Sequence, residues 1–350
     1  MRVLVEVVHP AHVLFFLNPI RVLQQAGHEV IVASREKDVT TDLLDDFDLP
    51  HRCLSRARAG LLGLASELIA RDVSLFKLAR SFNPHVMVGF GGVSISHIGA
   101  ALRIPTVGFY DTDHAVLQQR LTLPFITHQY VPEMYDGPEL SRKVTRFRGI
   151  KSLSYLHPLR FTPDRDKAIG AGLDPSFSNF LIRVVNWQAN HDLGRGGWTV
   201  NKIRRVVAHL SQRGRVYISA EGELPEDLQP LAYSGKVADF HHFLAFCDLY
   251  VGESATLATE AFLLGVPSIY AIDDRRSYID DLAKRGLVED AGDNSLDQLR
   301  EMLNRCLMDS REALIARRDS WLATQIDVVD YIVEKVSQHA KPDSRGEQGA

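Results

Sequence analysis

The segment Asp248–Tyr270, DLYVGESATLATEAFLLGVPSIY, constrains the fold more than any other part of this chain. Leu249–Val251 predicts a buried strand, and Gly252-Glu253-Ser254 predicts a turn. Small and apolar residues at Ala255, Ala258, Ala261, Phe262 and Leu264 predict a helix. Gly265 ends that helix because glycine takes the left-handed conformation of a helix C-terminus, and Pro267 forbids continuation. Ser268–Tyr270 then opens a second strand. Such a strand–turn–helix–strand unit belongs to a parallel sheet with a right-handed crossover. The helix start, at Ser254, Ala255 and Thr256, presents unpaired N–H groups and a positive dipole end, which suits a phosphate. Glu260 lies farther along the same helix and brings a carboxylate near that end, as a ribose diphosphate requires. The alternative is an ordinary doubly wound unit with Glu260 on a solvated face.

A chain of 350 residues exceeds what one hydrophobic core commonly serves, so two domains are expected. A formal net charge of −4 argues against a nucleic-acid partner, which would favour a basic excess. Cys53, Cys247 and Cys306 are widely spaced, which fits a reducing compartment and suggests neither a disulfide framework nor a cysteine metal site. Glu6, His9 and Pro10 interrupt the first apolar run, so no signal peptide is expected. No window reaches the ~18 apolar residues of a membrane span. A cytoplasmic location follows, and the reading allows peripheral contact with the inner face of the membrane.

In chain order, Val3–Val8 reads as a central strand, followed by the turn His9-Pro10-Ala11-His12 and a helix to about Gln25. Glu29–Ala33 is a strand and Val39–Phe47 a helix. Arg52–Gly63, basic and glycine-containing, reads as a loop, and a long amphipathic helix covers about Leu64–Ser81. Val86–Gly89 is a strand that ends in the glycine-rich turn containing Gly91 and Gly92. That turn serves either tight strand–helix packing or close approach to a ligand. Thr106–Phe109 is the next strand and leads into Asp111 and Asp113. Loop signals crowd Tyr155–Phe177, where a linker is placed. Alternation restarts at Phe180–Val185, followed by a long loop with Trp187, His191 and Asp192, a helix over Val200–Arg213, and the strand Arg215–Ser219 leading to Glu221. A long helix, straight or bent, is expected over Glu312–Gln338, and a disordered polar tail over 341–350. The expected domains are therefore 1–160 and 178–310, with 311–340 a C-terminal helix packing back on the first.

The candidate ligand groups all follow strand ends, where parallel α/β sheets bind ligands. The motifs also carry a resemblance. GFGGVSISHIGAALRIPTVGFYD is similar to the MurG-type N-acetylglucosaminyltransferases, and VADFHHFLAFCDLYVGESATLATEAFLLGVPSIY resembles both those enzymes and the non-hydrolysing UDP-N-acetylglucosamine 2-epimerases. The chain is further identified as a member of the uncharacterised family DUF354 through HPAHVLFFLNPI, EKDVT, FYDTDHA, YLHP, NWQANHD and ISAEGELP, over nearly its whole length.

The resemblance implies α/β, GT-B architecture: two Rossmann-like, doubly wound parallel-sheet domains facing a central cleft. It maps the ribose-binding glutamate to Glu260, the diphosphate neighbours to Glu253, Ser254 and Ala255, and the base neighbour to Phe240. The relatives carry Ser-Gly before that helix, and Glu253 would repel a diphosphate unless it points away or binds something else. The implied function is metal-independent transfer of a sugar from a nucleotide-sugar, expected to be a UDP-sugar, to a glycan or lipid-linked acceptor in cell-surface glycan synthesis. The nucleotide-sugar is a substrate, and no cofactor is expected.

Such transfer needs a base, and imidazole titrates near neutral pH, so His12 is the candidate. It is otherwise a capping or packing histidine. Asp111 or Asp113 would orient His12 or replace it. Trp187, His191, Asp192 and Glu221 are candidate sugar or phosphate contacts, and Asp192 is equally a helix cap. His241 and His242 lack a third ligand at metal spacing. The rival functions are an epimerase using Asp111, Asp113, His191 and Glu221 as acids and bases, and a non-catalytic nucleotide-sugar-binding protein.

Overall fold

The computed structural model describes residues 1–139, 142–185, 197–292 and 294–342. It divides into two compact units, Met1–Arg160 with Ile326–Ala350, and Phe161–Gln325.

The first unit is built on a seven-stranded parallel sheet in the order β3-β2-β1-β4-β5-β6-β7. The strands are β1 (Arg2–Val7), β2 (Glu29–Glu36), β3 (His51–Arg56), β4 (Val86–Phe90), β5 (Thr106–Phe109), β6 (His128–Pro132) and β7 (Val144–Phe147). Val3, Leu4, Val5 and Val7 are fully buried because β1 pairs on both sides, Val3 with Val30 of β2 and with Val86 of β4. A strand covered on both faces reads as a continuous apolar run. The chain leaves β1 toward β2 and later returns to β4 on its other side, so the topological switch lies between β1 and β4. The helices that follow these strands include α1 (Pro10–Gln25), α2 (Thr40–Asp46), α3 (Leu61–Phe82), α4 (Val93–Leu102), α5 (Val116–Thr122) and α6 (Leu153–Leu156).

Two expectations change here. Arg52–Gly63 is not all loop, because its first half is the edge strand β3. An edge strand needs no apolar run: Arg52, Cys53 and Arg56 point to solvent while the backbone pairs with β2. The β6–β7 pair was not anticipated, since Glu133, Asp136 and Pro138 surround it with loop chemistry.

The second unit holds a five-stranded parallel sheet in the order β12-β11-β10-β8-β9. Its strands are β8 (Ser178–Val184), β9 (Gly214–Ala220), β10 (Leu249–Gly252), β11 (Ser268–Tyr270) and β12 (Glu289–Asp290). Its helices include α7 (Arg165–Gly170), α8 (Val200–Leu210), α9 (Phe240–Ala245), α10 (Ala255–Leu263), α11 (Ser277–Lys284), α12 (Leu296–Met308) and α13 (Arg311–Leu322). Phe180, Ile182, Ile203, Ile218, Val251 and Ile269 form the core between sheet and helices. The switch lies between β8 and β10.

The segment Asp248–Tyr270 folds as β10, a turn, α10 and β11, and Gly265 ends the helix at φ +73°. The single helix expected over Glu312–Gln338 is two. α13 belongs to the second unit, whereas α14 (Val328–His339) belongs to the first and packs on α1 and α6 and on β4 and β5. Asp327 makes the break: its carboxylate caps α14 by accepting from Val329 and Asp330 N–H. The expected tail reaches beyond the described residues from position 343 onward.

Candidate functional site

In the second unit the candidate residues gather at the carboxyl ends of β8, β9 and β10. Ser254 is the N-cap of α10, its hydroxyl accepting from Leu257 N–H at 3.3 Å. The N–H groups of Ala255 and Thr256 precede the first N–H that donates within the helix, that of Ala258 to the Ser254 carbonyl at 3.0 Å. Glu260, five residues beyond Ala255, is 2% exposed and so does not lie on a solvated face. It is held at 3.2 Å from Nε2 of His241 on α9. His242 turns elsewhere: it accepts from Asp164 N–H at 3.0 Å and lies against the Phe161 ring. The two adjacent histidines therefore serve different partners. Phe240 is half-buried, edge-on to Tyr233 at 5.2 Å.

Glu253 resolves its own electrostatic conflict. Its side chain is 5% exposed and is bound by the protein's own backbone. One carboxylate oxygen accepts from Val185 N–H at 2.8 Å and the other from Trp198 N–H. Burial pushes its carboxyl pKa up, and these two backbone donors oppose that rise. Glu253 thus fixes the end of β8 to the start of the chain before α8. Trp187, His191 and Asp192 lie outside the described residues. Glu221 is paired with Arg183, whose guanidinium donates to it and to the Ser219 hydroxyl, both at 2.7 Å. Arg183 was missed in the sequence, although an arginine inside the apolar run FLIRVV is itself a signal.

In the first unit the candidates gather at the switch between β1 and β4. His9 is the N-cap of α1, its Nδ1 accepting from Ala11 N–H at 3.2 Å. His12 lies one turn on, half-buried, with its ring 5.0 Å from the Phe90 ring and 5.8 Å from His9. Burial lowers the His12 pKa well below the usual imidazole value, helped by His9, Lys151 and Lys37. His9 is lowered to about 4 by burial and by Lys37, Lys151 and Arg35, with Asp38 opposing. Both rings are therefore neutral at neutral pH, and a neutral imidazole can accept a proton.

Asp111 forms an ion pair with Lys151 at 3.3 Å, and the Lys151 ammonium lies 5.9 Å from the Phe90 ring. His12, Phe90, Lys151 and Asp111 are thus consecutive neighbours. Asp113 turns away: it is buried and accepts from Asp136 N–H at 3.0 Å. Lys151 was not foreseen. Gly91 and Gly92 hold φ +79° and +66°, and a Cβ on Gly92 would meet Ile95 carbons at 2.9 Å. The turn therefore requires glycine both for its left-handed backbone and for its packing against Gln118 and Ile95.

Residues 1–157 match the model of a family described as "Protein of unknown function (DUF354)". The resemblance read from the motifs ran over nearly the whole chain, whereas the family model covers this first part. An uncharacterized protein of Methanocaldococcus jannaschii is 22% identical over 155 residues, 44% of this chain and 44% of that protein. The match thus spans less than half the length of that relative. Among solved structures, the UDP-GlcNAc 2-epimerase from Neisseria meningitidis bound to UDP-GlcNAc is similar at TM-score 0.71 and 15% identity, over 97% of this chain and 100% of that one. The glycotransferase of kitacinnamycin is similar at TM-score 0.67 and 12% identity, over 97% and 99%. The spinosyn rhamnosyltransferase SpnG complexed with thymidine diphosphate is similar at TM-score 0.63 and 16% identity, over 96% and 100%. With two doubly wound parallel sheets, the fold is that of the GT-B class.

Proposed function

We propose that this protein is a glycosyltransferase that moves a sugar from a nucleotide-sugar, a UDP-sugar in the first instance, to a hydroxyl of a glycan or lipid-linked acceptor. The observation that carries this reading is the pairing on α10 of a capped N-terminus with a buried, held carboxylate at Glu260. Ala255 and Thr256 N–H meet the diphosphate, and Glu260 accepts from the ribose hydroxyls. Two of the structural neighbours were solved with a uridine or thymidine diphosphate group, which fits the same division of labour.

The chemistry needs little else. The bond between the anomeric carbon and the diphosphate oxygen breaks, and the acceptor oxygen bonds to that carbon. The acceptor proton goes to His12, which its surroundings keep neutral. The departing charge is met by the end of α10, so the helix dipole takes the place of a metal ion in this reading. Lys151 and Asp111 hold the polar edge of the acceptor side through their ion pair.

Epimerisation is the second reading, favoured by the likeness to the Neisseria epimerase. Against it, three of its four candidate acids and bases are engaged: Asp111 with Lys151, Asp113 with Asp136 N–H and Glu221 with Arg183. Incubation with donor alone separates the two. An epimer formed without acceptor overturns the transferase reading. Product formed only with an added acceptor supports it, and failure to bind any nucleotide in calorimetry removes both.

A further inference from the structure

The two ends of α14 are fastened differently. Its first turns bury Val328, Val329 and Ile332, and Arg160 clamps its start through Asp327 at 2.7 Å and Asp330 at 2.8 Å. Past Val336, Ser337 and Gln338 are exposed and His339 is half-buried. His339 holds this end: its Nε2 lies 3.0 Å from the Tyr130 hydroxyl, and its ring stacks on that of His128 at 5.3 Å and 25°. His128 opens β6, and its Nε2 lies 2.8 Å from the Thr145 hydroxyl of β7. The two imidazoles thus face each other across the joint between helix and sheet. This joint is at the start of β6, whereas the candidate groups of the first unit follow the strand ends.

The charges around the pair are one-sided. Lys335 of α14, its ammonium 5.0 Å from the Tyr331 ring, acts on both imidazoles. Glu334 is taken up by Lys335 at 2.8 Å and by Gln338. Tyr130 and Tyr331 are pushed up to about 12 by burial and stay neutral throughout. β7 faces the pair with the Thr145 hydroxyl. Among the described residues no carboxylate bonds either ring. A hydroxyl accepts as readily as it donates, so a proton on either ring breaks neither hydrogen bond. It sets charge against charge instead, two imidazolium rings 5.3 Å apart with Lys335 beside them. Burial first, then His339 and Lys335, holds the His128 pKa below the usual imidazole value, and burial with Lys335 does the same for His339.

We propose that His128 and His339 form an acid-released latch, which holds the last turn of α14 on β6 while both rings are neutral and frees it when they take protons. A freed turn leaves both rings in water, where they bind protons more tightly than the docked rings do. The docked state therefore holds fewer protons, and acidification below about pH 6.5 favours release. The negative pole at the helix C-terminus favours a charged His339 in docked and free helix alike, so it does not choose between them. Release bares Tyr130, which is 4% exposed when covered. The upstream turns stay in place, because Val328, Val329 and Ile332 are apolar and have no proton to take. The proposal is independent of the transferase reading.

Hydrogen exchange of the full chain tests it, read by mass spectrometry at about pH 7.5 and about pH 5.5 and corrected for the chemical pH dependence of exchange. Protection of the amides of 336–339 should fall by on the order of ten-fold between the two, while α1 and residues 328–332 change by less than about two-fold. His128→Gln with His339→Gln keeps a hydrogen-bonding side chain on each side of the joint and leaves no proton to take, so the fall should shrink to within about two-fold. If circular dichroism shows that this pair of substitutions does not fold, His339→Gln alone decides, at a half-buried position on the last turn, and should at least halve the fall. A wild type whose last turn is equally protected at both pH values overturns the proposal, as does a folded glutamine variant that falls as far as the wild type. So does a loss of protection in α1 in step with 336–339, which would make the response acid unfolding of the whole unit.

Discussion

Glu260 and His241 meet with Oε2 and Nε2 3.2 Å apart, both side chains buried. They come from consecutive helices of the sequence, α9 and α10, so a local stretch of chain builds the contact. A buried carboxylate is costly without a partner, and the His241 ring stands beside this one. On the proposed reading, a ribose approaching α10 would meet an acceptor already in place.

Glu260→Gln preserves size and replaces one acceptor oxygen with a donor. Affinity for UDP should fall by roughly 1.5–3 kcal/mol, about ten- to a hundred-fold. The wild type should prefer UDP to its 2′-deoxy form, and the variant should narrow that preference. Calorimetry on both proteins with both nucleotides reads this, and four equal affinities would leave Glu260 a purely structural residue.

His12→Ala should reduce turnover by on the order of 10²–10⁴ and leave UDP affinity unchanged. Because its surroundings lower the His12 pKa, the base stays unprotonated as the medium is acidified. The wild-type kcat/KM should accordingly remain level on going from about pH 8 to about pH 6, below which an ordinary histidine base has already lost activity. A fall centred near the ordinary imidazole value would assign the proton to another group.

Glu253 offers a stability test free of any functional reading. Glu253→Gln leaves one of two backbone donors, Val185 or Trp198 N–H, facing an amide NH₂. A buried donor without its acceptor costs about 1–3 kcal/mol, to be read as a shift in urea midpoint at constant slope. An unchanged midpoint would mean that water takes the place of the lost oxygen.

The histidines also fix a pH dependence. His9 drops from 6.5 to about 4 on folding, and His12, His28, His128 and His157 move the same way. Between about pH 6.5 and 4 these histidines hold more protons in the unfolded chain than in the folded one, so they make stability rise with pH, while the buried carboxyls of Glu6, Glu253 and Asp290, pushed up by burial, act the other way at the acid end. The melting midpoint should fall by a few degrees from about pH 7 to about pH 5. His9→Asn, which keeps a side-chain acceptor for Ala11 N–H, should shrink that fall.

Much of this was legible because it is local. The strand–turn–helix–strand of 248–270 is written in one stretch, down to the glycine that ends α10. His12, Asp111 and Glu221 were located at strand ends because period and turn residues place strand ends. What escaped depends on partners far away in sequence. The direction of Glu253 is set by Val185 and Trp198, 68 and 55 residues away. Asp113 turns to Asp136, and Glu260 is buried by α9, neither of which a helical pattern shows. β3 escaped because an edge strand can be basic. The break before α14 was signalled only by Asp327, one polar residue among several.

The return of α14 to the first unit has a consequence in time. The second unit is a continuous run, residues 161–325, and can complete itself as soon as that run has left the ribosome. The first unit cannot. Its α1 and α6, and its strands β4 and β5, must wait for Val328, Val329, Ile332 and Val336 of α14. The first unit to begin folding is therefore the last to finish, and a message truncated near codon 325 would yield a whole second unit attached to an unsealed first one.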